Sequence, residues 1–258
     1  MRLLILAPPT MPAFDQRVLA PILKDPSIQI AGAVIDAKPP KPLGRRLREE
    51  LKRGRGGFVI VMALNKVLSR SDTNTAIPSD VYFKDLNAPI HRTPSLYDPA
   101  TLAWIRAHSP DALYRIGFGI IREPILSIAP HGVLSYHHGD IRRYRGQPPA
   151  FWELYHGEPV MGVTVQQLDA GIDCGRIVAE AAVPVHRKDS WRCLNDRAYA
   201  ASYDLLHAAC RSLQTPTFTP TSVPADQLGR VFTTPNLRQW LGLQFKVLFR
   251  RLTPTPAA

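Results

Sequence analysis

Cysteine is scarce in this 258-residue chain: only Cys174, Cys193 and Cys210 occur, odd in number and with no Cys-x-x-Cys spacing. That excludes a disulfide framework and a zinc knuckle, and three free thiols fit a reducing compartment. Long apolar runs are missing too. No stretch reaches the ~18 residues a membrane-spanning helix needs, and the opening Met1-Arg2-Leu3-Leu4-Ile5-Leu6-Ala7 meets Pro8 and Pro9 before it could serve as a secretory signal. A soluble, cytoplasmic protein is the expectation. Acids are the third deficit, with 21 Asp and Glu against 32 Lys and Arg, a formal charge of +11. The deficit is local. Residues 41–71 carry nine Lys/Arg against two acids, a net +7, and residues 237–252 carry Arg238, Lys246, Arg250 and Arg251 with no acid, so the rest of the chain is neutral. Basicity is a property of two segments, and what they attract need not be what the neutral remainder processes.

What is present is a chain that is 45% hydrophobic and 21% charged, enough to bury one full-sized core. Short β-rich runs alternate with helical stretches over residues 1–213, the pattern of an α/β sheet with helices on its faces. The spacing predicts strands over 3–7, 28–35, 81–84, 112–116, 133–137, 162–168 and 176–185, and helices over 14–24, 98–108, 149–156 and 189–212, the last capped by Asp189-Ser190. Prolines cluster at 38–42, 215–224 and 254–256 and mark linkers. They set off a basic insertion, 40–71, read as two helices around Gly54, Gly56 and Gly57, and a tail, 214–258. In the tail Leu237, Leu241, Phe245, Leu248 and Leu252 recur every three or four residues, which predicts an amphipathic helix. A core-packing helix with a solvated basic face is the plain reading of each basic segment. A nucleic acid or an anionic membrane surface is the less favoured partner.

One stretch is more specific than the rest. Val133-Leu134-Ser135-Tyr136-His137 reads as a buried strand running into the polar loop His138-Gly139-Asp140-Ile141-Arg142-Arg143-Tyr144-Arg145-Gly146, so His137 falls at a strand end, where ligands gather in open α/β sheets. Further on, Gly162-Val163-Thr164 opens a strand that ends in Leu168-Asp169-Ala170-Gly171-Ile172-Asp173-Cys174-Gly175. A histidine and a carboxylate at neighbouring strand ends form a candidate acid–base pair, because the carboxylate can hold the imidazole protonated and oriented. From the residues alone, a satisfied structural histidine remains the commoner outcome. His138 reads as a loop-bracing or solvent-facing residue, Asp140 and Arg142 as a local pair, Cys174 as a space-filler, and Trp152, Leu154 and Tyr155 as packing. Gly117-x-Gly119 lacks the third glycine of a dinucleotide fingerprint.

The two stretches, together with residues 110–121 and 176–210, resemble the formyl transferase family that uses 10-formyltetrahydrofolate, whose pattern is Asn-x-His, Tyr-Arg-Gly, Gly-Val-Thr and Leu-Asp-x-Gly-x-Asp-x-Gly in that order. The resemblance covers residues 1–213 apart from the basic insertion. It implies a Rossmann-like, mostly parallel formyltransferase sheet flanked by helices, with His137 and Asp173 as the catalytic pair and Ser135 at the family's catalytic Asn. It implies that the folate contacts Gly119, Ile120 and Ile121 on one side, Asp169, Ala170, Gly171 and Ile172 on the other, and Gln147, with no metal. An amine would attack the formyl carbon, and an oxyanion would develop that needs donors. Ser135 departs from the pattern: a hydroxyl offers a single, shorter-reaching donor, so a weakly active or non-catalytic folate-binding relative is an alternative. Ser135→Asn is then expected to raise transfer. The tail of 45 residues is too short for the C-terminal barrel of the family's tRNA enzyme. A small-molecule amine, an amino-sugar nucleotide above all, is therefore the expected acceptor, and a tRNA enzyme the runner-up.

Overall fold

In the computed structural model, which describes residues 1–39, 44 and 76–253, the chain opens on strand β1 (Arg2–Ala7), whose Leu3 to Ala7 are buried on both faces, as a central parallel strand requires. A short β2 (Thr10–Met11) leads into α1 (Ala13–Lys24), which turns Val18, Leu19 and Ile22 onto the sheet. There follow β3 (Gln29–Asp36), β4 (Ile77–Pro78), α2 (Ser79–Asp85), β5 (Ile90–Thr93), α3 (Pro99–Ala107), β6 (Ala112–Arg115), β7 (Val133–His137), β8 (Tyr144–Gly146), α4 (Phe151–His156), β9 (Val160–Gln167), β10 (Arg176–Pro184), α5 (Trp191–Ser202), α6 (Leu205–Leu213), β11 (Arg230–Phe232) and α7 (Leu237–Leu252). The main sheet has the order β10-β9-β7-β6-β1-β3-β5. Pairings from β7 through β5 are parallel, and those of β7 with β9 and β9 with β10 are antiparallel. This is the expected mostly parallel α/β sheet. The basic insertion and its two helices fall almost wholly outside the described residues.

Two expectations fail and one strand goes unread, each for an identifiable reason. Residues 81–84 are not a strand but the middle of α2. Behind Pro78, the buried residues are Ser79 and Phe83, four apart, which is a helical and not an alternating spacing. The edge strand β5, Ile-His-Arg-Thr, is too short and too polar to have been recognised. The helix expected over 189–212 is two helices. The hydroxyl of Tyr136 donates to Ser202 O at 2.6 Å and accepts from Leu206 N–H at 2.8 Å, so it sits between two backbone groups four residues apart that an unbroken helix would pair. The Ser190 cap is as read, its Oγ accepting from Cys193 N–H.

Residues after 213 lie against the body. Thr221 bridges Ile177, β11 pairs parallel with β8, and Trp152 Nε1 donates to Thr233 O at 3.2 Å. Gly146, at φ 89°, makes that pairing possible, since a Cβ there would collide with the Phe232 carbonyl. Helix α7 forms where the spacing predicts it, behind an Asn236 capping box. Its docked residues are Leu243 and Val247, whereas Leu241, Phe245, Leu248 and Leu252 of the counted stripe are exposed. Lys246 takes part in the docking, with Nζ donating to Tyr155 O at 2.8 Å and lying 4.3 Å from that ring's centroid.

Candidate active site

His137 ends β7, and its surroundings decide how its ring is used. Nε2 lies 2.7 Å from the Tyr144 carbonyl, which can only accept, so Nε2 carries a proton. Nδ1 then faces Asp173 Oδ2 at 3.4 Å. The ring is 7% exposed and Gly139 lies directly over it: a Cβ at 139 would sit 2.6 Å from Nε2. Thr164 of β9, paired across from His137, donates its hydroxyl to Gly139 O at 3.1 Å and holds that loop down.

Asp173 sits in the loop between β9 and β10 with φ at 45°, the left-handed region that Asp and Asn enter more readily than most residues. Its carboxylate is held from two sides. Oδ2 accepts from Gly146 N–H at 2.7 Å, and Oδ1 accepts from the Gln166 side-chain amide at 3.2 Å. Gln166 is buried, and its own Oε1 accepts from Gly175 N–H, so its amide is oriented without ambiguity. Arg145 of the Tyr-Arg-Gly triplet ties this loop to the tail, donating Nε to Gly229 O and Nη1 to Ile172 O.

His138 is half-buried among aromatic rings at the cavity wall. It stacks on Tyr136, packs edge-on against Tyr199 and donates Nε2 to Ser202 Oγ at 3.1 Å, whose own proton goes to Ala198 O. Burial, with His137 adding to it, pushes its pKa down to about 3, so it braces the loop as a neutral ring. Arg142 pairs with Asp140 at 3.1 Å as expected, and also with Glu180 of β10 at 2.7 Å.

A cavity of about 790 Å³ opens at the carboxyl ends of β6 and β7. His137, Asp173, Gly119, Ile120, Ile121, Gln147, Asp169, Gly171 and Ile172 all line it, so the structure brings these sequence-derived candidates together. Two others are not among the lining residues. Ala170 gives its N–H to the Asp169 carboxylate at 2.6 Å, and Ser135 is buried beneath the site at 3% exposure. Sequence reasoning missed Arg115 and the tail residues Val231, Phe232, Thr233 and Thr234, which form part of the cavity wall, and Thr164 and Gln166, which support the His137 and Asp173 loops from below. Gln166 carried a signal, being a polar residue inside an apolar strand. Arg115 carried one too, as a charge closing the run Ala-Leu-Tyr. Its Nε donates to Gly119 O at 2.6 Å and its Nη1 to Ser135 Oγ at 3.3 Å. Burial lowers the guanidinium's pKa, and the nearby Asp173 acts the opposite way.

Residues 38–210, two thirds of the sequence, match the family model described as formyl transferase. The chain belongs to the formyl transferase family. Among its relatives, methionyl-tRNA formyltransferase of Syntrophus aciditrophicus strain SB is 30% identical over 164 residues, 62% of this chain and 53% of the relative. That of Anaeromyxobacter sp. strain K is 31% identical over 176 residues, 66% of this chain and 56% of the relative. The chain thus spans about half the length of the curated relatives it matches. Solved formyl transferases of low identity share the fold. Phosphoribosylglycinamide formyltransferase from Anaplasma phagocytophilum superposes with TM-score 0.58 at 16% identity, covering 91% of this chain and 99% of that one. A sugar N-formyltransferase from Shewanella sp. FDAARGOS_354 gives 0.58 at 14%, covering 95% and 87%.

Proposed function

We propose that this formyl transferase moves the formyl group of 10-formyltetrahydrofolate to a primary amine of a small molecule, an amino-sugar nucleotide by class. The observation that carries the reading is the His137–Asp173 pair in the wall of a cavity rimmed by the stretches 119–121 and 168–173. The cavity volume lies in the range of roughly 300–1,000 Å³ usual for small-molecule sites. Ile120, Ile121, Leu168 and Ile172 give it apolar walls suited to a flat pterin, with the backbone of both loops at its edge.

The folate supplies an electrophilic carbonyl carbon. In the balanced reaction the acceptor nitrogen bonds to that carbon, the carbon's bond to the folate nitrogen breaks, and the proton lost by the amine ends on the folate nitrogen. Asp173, held by Gly146 N–H and the Gln166 amide, takes that proton directly or through a water. His137, anchored through Nε2, turns Nδ1 onto the Asp173 carboxylate and helps fix its orientation. Gln147 and the 169–172 loop bear on the folate.

A small acceptor is supported by the tail, whose residues 231–234 wall the cavity beside the folate loops and limit its size. Solved relatives of this fold include an N-formyltransferase from Helicobacter canadensis in complex with folinic acid and dTDP-3-aminofucose. Methionyl-tRNA as acceptor is the second reading, favoured by the sequence relatives. Purified protein incubated with 10-formyltetrahydrofolate and, separately, amino-sugar nucleotides, amino acids and methionyl-tRNA separates the two by product mass. Formylated amino sugar supports the first reading, and formylated methionyl-tRNA alone replaces it with the second.

A further inference from the structure

Oxygen that gains negative charge as an amine adds to a formyl group needs more than one hydrogen-bond donor aimed at it. The two obvious candidates at this site fall short. Nε2 of His137 donates to the Tyr144 carbonyl, so only Nδ1 remains, and it faces the Asp173 carboxylate. The Ser135 hydroxyl is buried, is not among the residues lining the cavity, and has Tyr136 O as its own acceptor at 3.4 Å.

Arg115 stands beside Ser135 and lines the same cavity as His137. It closes β6, and the β6–β7 register that sets Leu113 against Val133 and Tyr114 against Leu134 brings it beside Ser135. Its guanidinium is fastened at two points, Nε on the Gly119 carbonyl at 2.6 Å and Nη1 on Ser135 Oγ at 3.3 Å. Arg115 lines the cavity together with His137, Asp173 and Gly119. Of its five N–H donors, those on Nη2 have no protein partner among the described residues. A planar guanidinium fixed through Nε and Nη1, with Nη2 left to donate, is a preorganised donor. In a partly desolvated setting its interaction with developing negative charge is stronger than it would be in water. The small side chain at 135 is what leaves room for the guanidinium. The same cation beside the acceptor disfavours an ammonium and so favours the free amine that must attack.

Resting on the formyl-transfer reading above, we propose that Arg115 is a catalytic residue of this enzyme, its guanidinium donating to the formyl oxygen as the amine adds, with Ser135 serving to seat the guanidinium and not to meet the substrate. Ser135→Asn therefore does not raise transfer in the otherwise unchanged protein, contrary to the expectation from sequence. The added carboxamide runs into a guanidinium that already stands 3.3 Å from the serine oxygen.

The test is steady-state kinetics on wild type, Arg115→Gln, Arg115→Lys, Ser135→Asn and Arg115→Ala with and without Ser135→Asn, beside folate affinity by calorimetry and a thermal melt for each. Expected is a fall in kcat of about 10²–10³ in Arg115→Gln, a smaller fall in Arg115→Lys, and little change in folate affinity or in the acceptor KM. Ser135→Asn alone lowers kcat. In the Arg115→Ala background it recovers part of what was lost, because the carboxamide then has room to donate. Should Arg115→Gln fail to fold, Arg115→Lys and the double variant carry the same comparison. Wild-type kcat in Arg115→Gln overturns the proposal and leaves formyl transfer standing. So does a loss confined to the acceptor KM, which would make Arg115 an anchor for an anionic acceptor. A wild type that neither binds the folate nor transfers its formyl group overturns the functional reading, and the proposal with it.

Discussion

His137 and Asp173 are 36 positions apart in sequence and 3.4 Å apart in space. Replacing either by Ala is expected to reduce formyl transfer about 10²–10⁴-fold with the melting temperature little changed, since neither fills a core. Turnover near wild type in either variant would remove the pair from the mechanism. Gln166→Leu keeps the volume of the strand residue but frees the Asp173 carboxylate from its amide, so kcat should fall with the acceptor KM little changed.

Glu153 offers a separate test of the packing around α4. Its carboxyl is 2% exposed, and burial first, then the nearby Glu158 and Asp140, raise its pKa from 4.5 to about 7. The folded protein holds this proton more tightly than the unfolded chain, so the stability it confers is complete below pH 4.5 and is lost as pH rises through about 7. Glu153→Gln should therefore match wild type near pH 4.5 and exceed it at pH 8 by about 3 kcal/mol in urea unfolding. His138, whose shift has the opposite sign, cancels in that comparison. A difference independent of pH would refute the assignment. At this scale the sequence made His137 and Asp173 legible because each sits in an ordered run of motif residues. Arg115 stood out only as a charge closing an apolar run, and its meaning depends on which strand lies beside β6.

Among the elements, the strands that read clearly were those buried on both faces, where an apolar run has one solution, such as β1 and β7. The failures came where tertiary contacts override local pattern. No periodicity announces that the Tyr136 hydroxyl will split the 189–212 helix, because the interrupting group comes from another strand. Helix α7 is the sharper lesson: the apolar stripe was real, but the docked face is the pair Leu243 and Val247, with the Lys246 stem and Tyr155 at its edge. Leu243→Ala is accordingly expected to destabilise the protein by about 2–5 kcal/mol, whereas Leu241→Ala stays within about 0.5 kcal/mol, both read from chemical unfolding. A larger effect at Leu241 than at Leu243 would mean that α7 docks by the opposite face.

For the molecule as a whole, the sheet order puts the ends of β6, β7 and β9 side by side, and the loops leaving them build one cavity from residues spread between 115 and 234. The α/β class and the cluster of candidate residues were open to reading from sequence. The part taken by 231–234 was not, since a proline-rich stretch reads as a linker until β11 is seen paired with β8. The central claim is that this cavity transfers a formyl group from folate to a small amine. Its most direct test is the mass spectrum of amino-sugar nucleotides incubated with the purified protein and 10-formyltetrahydrofolate, with Asp173→Ala as control. The account predicts one acceptor heavier by a single formyl group, formed with wild type and lost in the variant. No formylated product from any amine offered, with folate bound and the protein folded, would contradict it.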